Sequence, residues 1–206
     1  MTPYDMSFAD LESIFSSTTT GRISFKLPFA ETYVEIQELI EEAIDWIGQE
    51  LGKNAHLKCD LKEDQITIEI VHMLKSMSFD ADHDTQYGGH CDIVVKAKKE
   101  FLWIAEAKVH SDYSWLDKGM KQLCTRYSTG YTGQDSGEVL IYVRAPRMDK
   151  VLEAWAEKVK GSIDGIAVGE INPDRFFFRT EHPHEKTGRP FRVRHKVISV
   201  HHDPVV

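Results

Sequence analysis

The sequence predicts a single α/β domain, a central β-sheet flanked by helices, and three observations predict it. Amphipathic stretches of helical period alternate along the chain with short apolar or alternating runs of strand type. Glu138 to Val143 is a continuous apolar run after its first residue, which marks a central strand covered on both faces. A chain of 206 residues, 41% apolar and 10% aromatic, can bury one substantial core and is too short for two independent ones.

The stretch up to about residue 30 is mixed, with Ser and Thr clustered from Ser16 to Thr20, and reads as an irregular lead-in. From Thr32 onward Val34, Ile36, Leu39, Ile40, Ala43, Ile44, Ile47 and Leu51 recur at helical spacing. Glu35, Glu38, Glu41, Glu42 and Asp45 supply the opposite face, which reads as solvated. A second helix is expected from about Glu63 to Met77, although Ile66 to Ile70 taken alone alternates like a strand. Phe79 to Gly89, rich in Asp and ending in Gly88–Gly89, reads as a loop.

The first strong β signal is a hairpin: Cys91 to Val95, a turn across Lys96 to Glu100, then Phe101 to Val109. A helix from about Leu116 to Tyr127, the strand Glu138 to Val143 and a helix from Arg147 to Lys160 follow. Gly165 to Gly169, Arg175 to Arg179 and Arg192 to Val200 read as strands or extended segments. Ser128 to Gly137 and Glu181 to Pro190, rich in Gly, Pro and polar residues, read as hinge-like connections.

The net charge of −8 argues at face value against a polyanionic partner, since phosphate affinity comes largely from Lys and Arg. Its distribution weakens that objection. Residues 1–64 hold 13 acidic and 5 basic side chains, whereas the rest of the chain balances 20 against 20. Cys59, Cys91 and Cys124 lie far apart and form no C-x-x-C pair, so they read as reduced thiols, with Cys91 a half-buried strand residue. No window approaches the roughly 20 apolar residues of a membrane helix, so a cytoplasmic protein without membrane contact is expected.

The hairpin brings chemistry together. With its turn centred near Lys98 and Lys99, Asp92 and Glu106 are predicted cross-strand neighbours, with Cβ atoms about 5 Å apart. Two carboxylates so placed repel, and either one takes a proton or a cation sits between them; an all-oxygen site suits Mg²⁺ or Mn²⁺. Lys108, two residues beyond Glu106, falls on the same strand face about 7 Å further on. That face reads Leu102, Ile104, Glu106, Lys108: an apolar stripe ending in a carboxylate and an ammonium, as at a site on the margin of a core. Phosphodiester hydrolysis asks for these types, a metal to acidify water and an amine to serve it. Asp92 and Glu106 would hold the metal, the Ala107 carbonyl could add a ligand, and Lys108 would serve the water.

Gly88-Gly89-His90-Cys91-Asp92-Ile93-Val94-Val95 followed by Ile104-Ala105-Glu106-Ala107-Lys108 resembles the PD-(D/E)xK superfamily, the restriction endonuclease-like phosphodiesterases. The resemblance spans about residues 63–143. It implies a mixed four-stranded sheet flanked by helices and Mg²⁺-dependent cleavage, mostly of DNA. It also singles out Glu69, on the helix before the hairpin, as a further acidic metal ligand and catalytic residue. Gln122 is similar to a glutamine that follows the motif in exonuclease-like branches; those place a tyrosine four residues later, where this chain has Arg126, with Tyr127 fifth.

Lys121, Arg126 and Tyr127 are nucleic-acid-binding candidates on that helix, with Lys118 beside them. Arg192 and Arg194 are candidates in a late cluster where Arg175, Arg179, Arg189 and Lys196 interleave with Phe176, Phe177, Phe178 and Phe191. The late histidines His182, His184, His195, His201 and His202 match no zinc-finger spacing.

These readings converge on a cytoplasmic Mg²⁺-dependent nuclease of a prokaryote or its virus. It is expected to cut DNA as an endonuclease, with defence against foreign DNA a role by family analogy. An exonuclease or RNA-cleaving enzyme on the same site, or a catalytically silent interaction module, are the alternatives. Target choice by self-association or a regulatory partner protein is expected, with no small-molecule cofactor.

Overall fold

The elements were obtained as a computed structural model that describes residues 6–86 and 89–204. In chain order they are α1 (Phe8–Phe15), α2 (Thr19–Lys26), α3 (Tyr33–Lys53), α4 (Glu63–Ser76), β1 (Asp80–Gln86), β2 (His90–Ala97) and β3 (Phe101–Val109). Then come α5 (Tyr113–Gln122), β4 (Ser136–Val143), α6 (Met148–Lys158), β5 (Ala167–Val168), β6 (Phe177–Pro183) and β7 (Pro190–Ser199). The strands form one seven-stranded sheet in the order β1-β2-β3-β4-β7-β6-β5. Its centre, β3-β4-β7, is parallel and both margins are antiparallel, so the sheet is mixed. The sheet is wider than the four strands the family resemblance implied.

Burial follows strand position. β4 is buried along its whole length and β3 along all but its last residue, as expected of central strands between two helical layers. On one face α3 and α4 lay Ile36, Ile40, Ile44, Ile47, Ile66 and Ile70 against Trp103, Ala105, Leu140 and Tyr142. On the other, α5 and α6 lay Leu116, Met120, Leu152 and Trp155 against Ile104, Val139, Ile141 and Val193. Each such fully buried aliphatic side chain stabilises the fold by about 1.5–3 kcal/mol relative to exposure. The predicted long helix is α3, opened by a Thr32–Glu35 capping box.

Four expectations are corrected. The irregular lead-in contains α1 and α2, capped by Ser7 and Thr18, so of the Ser/Thr cluster read as a loop Ser16 ends α1 and Thr18 to Thr20 start α2. The Asp-rich stretch after Phe79 is β1, an edge strand whose one buried residue is Ala81; its missing apolar alternation is what an unpaired margin requires. The Gly88 of that expectation lies outside the described residues. The hinge-like stretches pack on each other, with buried Ser128 and His184 hydrogen-bonded at 2.9 Å, and most of the second one is the β6–β7 hairpin.

Finally, Glu41 and Asp45 of the acidic face of α3 and Arg194 of the late arginines are not solvated, whereas Glu35, Glu38 and the other late arginines are exposed as expected or partly so. Glu41 binds Arg179 (2.8 Å), Asp45 binds Arg194 and Lys196, and buried Glu138 lies 3.4 Å from Arg194. Arg194 is 1% exposed, with its guanidinium 4.5 Å from the Phe177 ring centre. Asp45 on α3 and Arg194 and Lys196 on β7, read separately as surface, are each other's buried partners.

Glu138 makes this seam pH-sensitive. Both its carboxyl oxygens lack hydrogen-bond partners, and burial, against the pull of Arg194, pushes its pKa up to about 8. The unfolded chain releases this proton first as pH rises, so Glu138 erodes stability from about pH 4.5 up to pH 8. Glu138→Gln should therefore match wild type near pH 5 and become progressively more stable than it towards pH 8, measured as paired denaturation curves. A difference that stays flat across that range would contradict this account.

Candidate active site at the end of the central strands

The hairpin register is the one predicted. Ile93 pairs with Ala105 and Ala97 with Phe101, and the turn is closed by Lys99 and Glu100, both at positive φ. Continued by one residue, the register sets Asp92 opposite Glu106. There regular pairing stops, and the Ala107 N–H donates to Asp92 Oδ2 at 2.7 Å. Glu106 and Lys108 share the strand face of Leu102 and Ile104, against α5. Gly119 of α5 permits the approach: a Cβ there would lie 3.0 Å from Lys108 Cγ and 3.3 Å from Glu106 Cγ.

Lys108 Nζ is the hub. It lies 2.7 Å from Glu106 Oε1 and donates to the Ala107 carbonyl at 2.9 Å. Glu63 Oε1 is at 3.5 Å, Asp92 Oδ2 at 3.7 Å, and the Trp115 ring centre at 5.3 Å. Glu63 is held by accepting from the Val109 N–H at 2.7 Å. It stands in the first turn of α4, where the helix dipole favours a carboxylate.

Three carboxylates thus surround one ammonium in a mostly buried pocket. Burial, reinforced by the neighbouring Asp92 charge, pushes the Glu106 pKa up to about 7. Burial also raises that of Asp92, against Lys108 and the Ala107 N–H. For Lys108 burial works against the charge, but Glu106 and Asp92 outweigh it and keep the amine protonated. Glu106 Oε2 is buried without a hydrogen-bond partner. The site carries more negative charge than its lysine offsets, and a buried oxygen to spare.

The structure sorts the remaining candidates. Glu69 is removed from the constellation: both its oxygens take Lys58 Nζ, at 2.7 and 2.6 Å, and Glu63 supplies the third carboxylate instead. An acid in the first turn of a helix is so ordinary that only the fold singles Glu63 out. Gln122 lies one turn beyond Gly119, half-buried. Leu123–Tyr127 forms a π turn, with the Ser128 N–H reaching the Leu123 carbonyl at 3.2 Å. Such a turn holds one more residue than an α turn, so Tyr127 returns to the side that a four-residue spacing from Gln122 would reach.

Tyr127 is buried close enough for Glu106 and Asp92, after burial itself, to push its phenol up to about 12. A Cβ on Gly89 would meet its ring at 2.9 Å. Burial and the same two carboxylates push the Cys91 thiol up to about 12, so it is an inert strand residue, fully buried and not half-buried.

Among the basic candidates, Arg126 is exposed beside Tyr127, and Lys121 is exposed but paired with Asp117 at 2.7 Å. Arg194 is a correction, whereas Arg192 is exposed but distant from the hub. Arg194 is buried in the seam beneath α3. Arg192 pairs with Glu181 and Asp135 and is level with Ser136, whereas Lys108 is level with Ile141. Five residues of strand, about 16 Å, separate those levels. Lys118, 4.8 Å from the Trp115 ring centre, lies nearer the hub.

No protein-family model matches this sequence, and no curated protein or solved structure does. The chemistry is therefore read from the donor set. Every group around Lys108 Nζ other than the Trp115 ring is an oxygen: two buried or half-buried carboxylates from the hairpin, one from α4 and a strand carbonyl. That set fits a hard divalent cation. Among the described residues no trio of His, Cys, Asp or Glu forms a ready ligand cluster.

Proposed function

We propose that this protein is a Mg²⁺- or Mn²⁺-dependent phosphodiesterase that cuts DNA, on a fold of the restriction endonuclease-like kind. The observation that carries the reading is the convergence of Asp92, Glu106, Glu63 and the Ala107 carbonyl on Lys108 Nζ at one end of the parallel strands. In open α/β sheets that end of the strands is where ligands bind.

Asp92, Glu106 and the Ala107 carbonyl would hold the cation, with Glu63 completing the set. Bound there, it supplies Lewis-acid chemistry, lowering the pKa of an attacking water and stabilising charge on the phosphoryl oxygens. Lys108 orients that water through its N–H groups and stabilises the developing negative charge. Tyr127 stands close to the carboxylates, and Gln122 lies a turn from the glycine that packs on them, so both are placed to position a scissile phosphate. Lys118, Lys121 and Arg126, exposed along the same helical stretch, offer cations to the polynucleotide backbone. Their local placement answers the overall acidity of the chain.

The test is incubation of the purified protein with closed-circular, linear and single-stranded DNA and with RNA, each with Mg²⁺ or EDTA. Mg²⁺-dependent nicking or linearisation of closed circles is expected, which establishes endonuclease action. Degradation of linear substrates alone would make it an exonuclease. No cleavage of any polynucleotide with either Mg²⁺ or Mn²⁺ would overturn the reading.

A further inference from the structure

On the opposite face of the sheet from Lys108, a cavity of about 370 Å³ opens between α3 and the C-terminal half of β7. Its walls include Asp45 and Trp46 of α3, Lys196 of β7, Arg175 and Phe176 of the segment before β6, and Arg22 of α2. Lys196 is 6% exposed; its ammonium lies 3.0 Å from Asp45 Oδ1 and donates to the Arg175 carbonyl. Arg194, buried behind it, binds the same Asp45 oxygen, and Arg175 Nη1 stands 3.6 Å from Asp45 Oδ2. Three cations converge on one carboxylate.

The other acids nearby do not restore the balance. Asp174 also lines the cavity, Glu42 pairs with Arg22 at the rim, Glu41 pairs with Arg179, and buried Glu138 favours its neutral form at pH 7, so the four cations Arg22, Arg175, Lys196 and Arg194 stand against the three acids Glu42, Asp45 and Asp174. A cleft with surplus positive charge attracts an anion, and guanidinium and ammonium groups together are suited to phosphate. Asp45 Oδ2 adds a second requirement. It is buried and accepts no hydrogen bond, so a donor brought into the cavity would satisfy it.

The backbone at the cavity is itself unusual. Phe176 has φ of 51°, a left-handed conformation that is strained for a bulky side chain. It is held by the Val197 N–H donating to its carbonyl at 3.1 Å and by Lys196 on the preceding carbonyl. That strained turn is what brings the Arg175 carbonyl to Lys196 and adds Phe176 to a lining that also holds Trp46. The volume lies in the range of small-molecule sites and exceeds what an inorganic anion fills.

We propose that this cleft binds a nucleoside monophosphate, its phosphate on Lys196 and Arg175 and a sugar hydroxyl or base amino group donating to Asp45 Oδ2. Trp46 and Phe176 offer the base its apolar walls. The inference stands on its own residues and does not depend on the phosphodiesterase reading.

It is tested by titration calorimetry of the common ribonucleoside 5′-monophosphates and of inorganic phosphate into wild type, Arg175→Ala and Asp45→Asn. At least one monophosphate is expected to bind more tightly than phosphate, with Arg175→Ala weakening it about tenfold or more, the loss of one charge-assisted contact. Asp45→Asn should erase the preference for nucleotide over phosphate. Because Asp45 also holds Arg194, its variant is first checked for folding by circular dichroism; Arg175, 62% exposed in its side chain, carries the test if that variant fails. No binding at about 1 mM ligand, equal affinity for phosphate and nucleotides, or an unchanged Arg175→Ala would overturn the proposal.

Discussion

Glu106→Gln is expected to lose Mg²⁺-dependent cleavage by ~10³-fold or more while leaving the metal-free protein at least as stable as wild type. The two halves have one cause. Glu106 is a buried carboxylate beside Asp92, with an oxygen that no hydrogen bond satisfies and a proton it holds to about pH 7. An amide of the same shape removes a charge that the fold disfavours and the reaction requires. Lys108→Met should lose activity as fully but shift stability the other way, because it strands Glu106, Asp92 and Glu63 without their shared cation. Removing one partner of a buried pair costs about 3–5 kcal/mol, lessened here as Glu106 takes up a proton. The check is Tm in EDTA beside cleavage rate in Mg²⁺ for both variants. Equal destabilisation by the two, with cleavage retained, would mark an ordinary structural ion pair.

Arg194→Ala should unfold the protein at moderate temperature, with a loss of about 3–5 kcal/mol, whereas Arg126→Ala should leave stability within about 0.5 kcal/mol and weaken polynucleotide binding. Arg194 is the cation between Asp45, at the cavity wall, and fully buried Glu138, and its guanidinium lies over the Phe177 ring. Truncation leaves Glu138 without its cation, Asp45 with Lys196 and Arg175 alone, and a void. Arg126 stands in solvent, where its loss removes only long-range attraction. Chemical denaturation and a binding isotherm at two salt concentrations separate the two. A stable Arg194→Ala with weakened DNA binding would return that residue to the surface role its place in the sequence suggested.

What was legible in the sequence depended on whether one residue's partner could be found by counting. The β2–β3 register was legible because side chains alternate strictly along a strand and the turn fixes the count, so Asp92, Glu106 and Lys108 could be put on one side from numbering alone. The period of α3 was legible for the same reason. Glu63 was not, since its meaning lies in where the start of α4 meets the end of β3, a contact 45 residues apart in the chain. The seam of Asp45, Glu138 and Arg194 was hidden because charged residues are almost always solvated, and each taken singly obeyed that rule. β1 was hidden because its polarity, the usual sign of a loop, is here the sign of an outermost strand. The place of Tyr127 was obscured by one residue, which a π turn absorbs.

The two outer strands bear on how copies of this chain can meet. An outermost strand offers a row of free backbone groups onto which another molecule's strand can zip. Here β1 presents Asp80, Asp82 and Asp84, the last at φ of 52°, and β5 is two residues long. Two β1 strands brought together would set carboxylate against carboxylate across a kinked ladder, and β5 is too short to template anything. Growth of the sheet from one molecule into the next is disfavoured at both ends. Both margins therefore discourage strand-to-strand pairing between copies, and the mouth beside Lys108, flanked by α4 and α5, lies away from them at the end of the central strands.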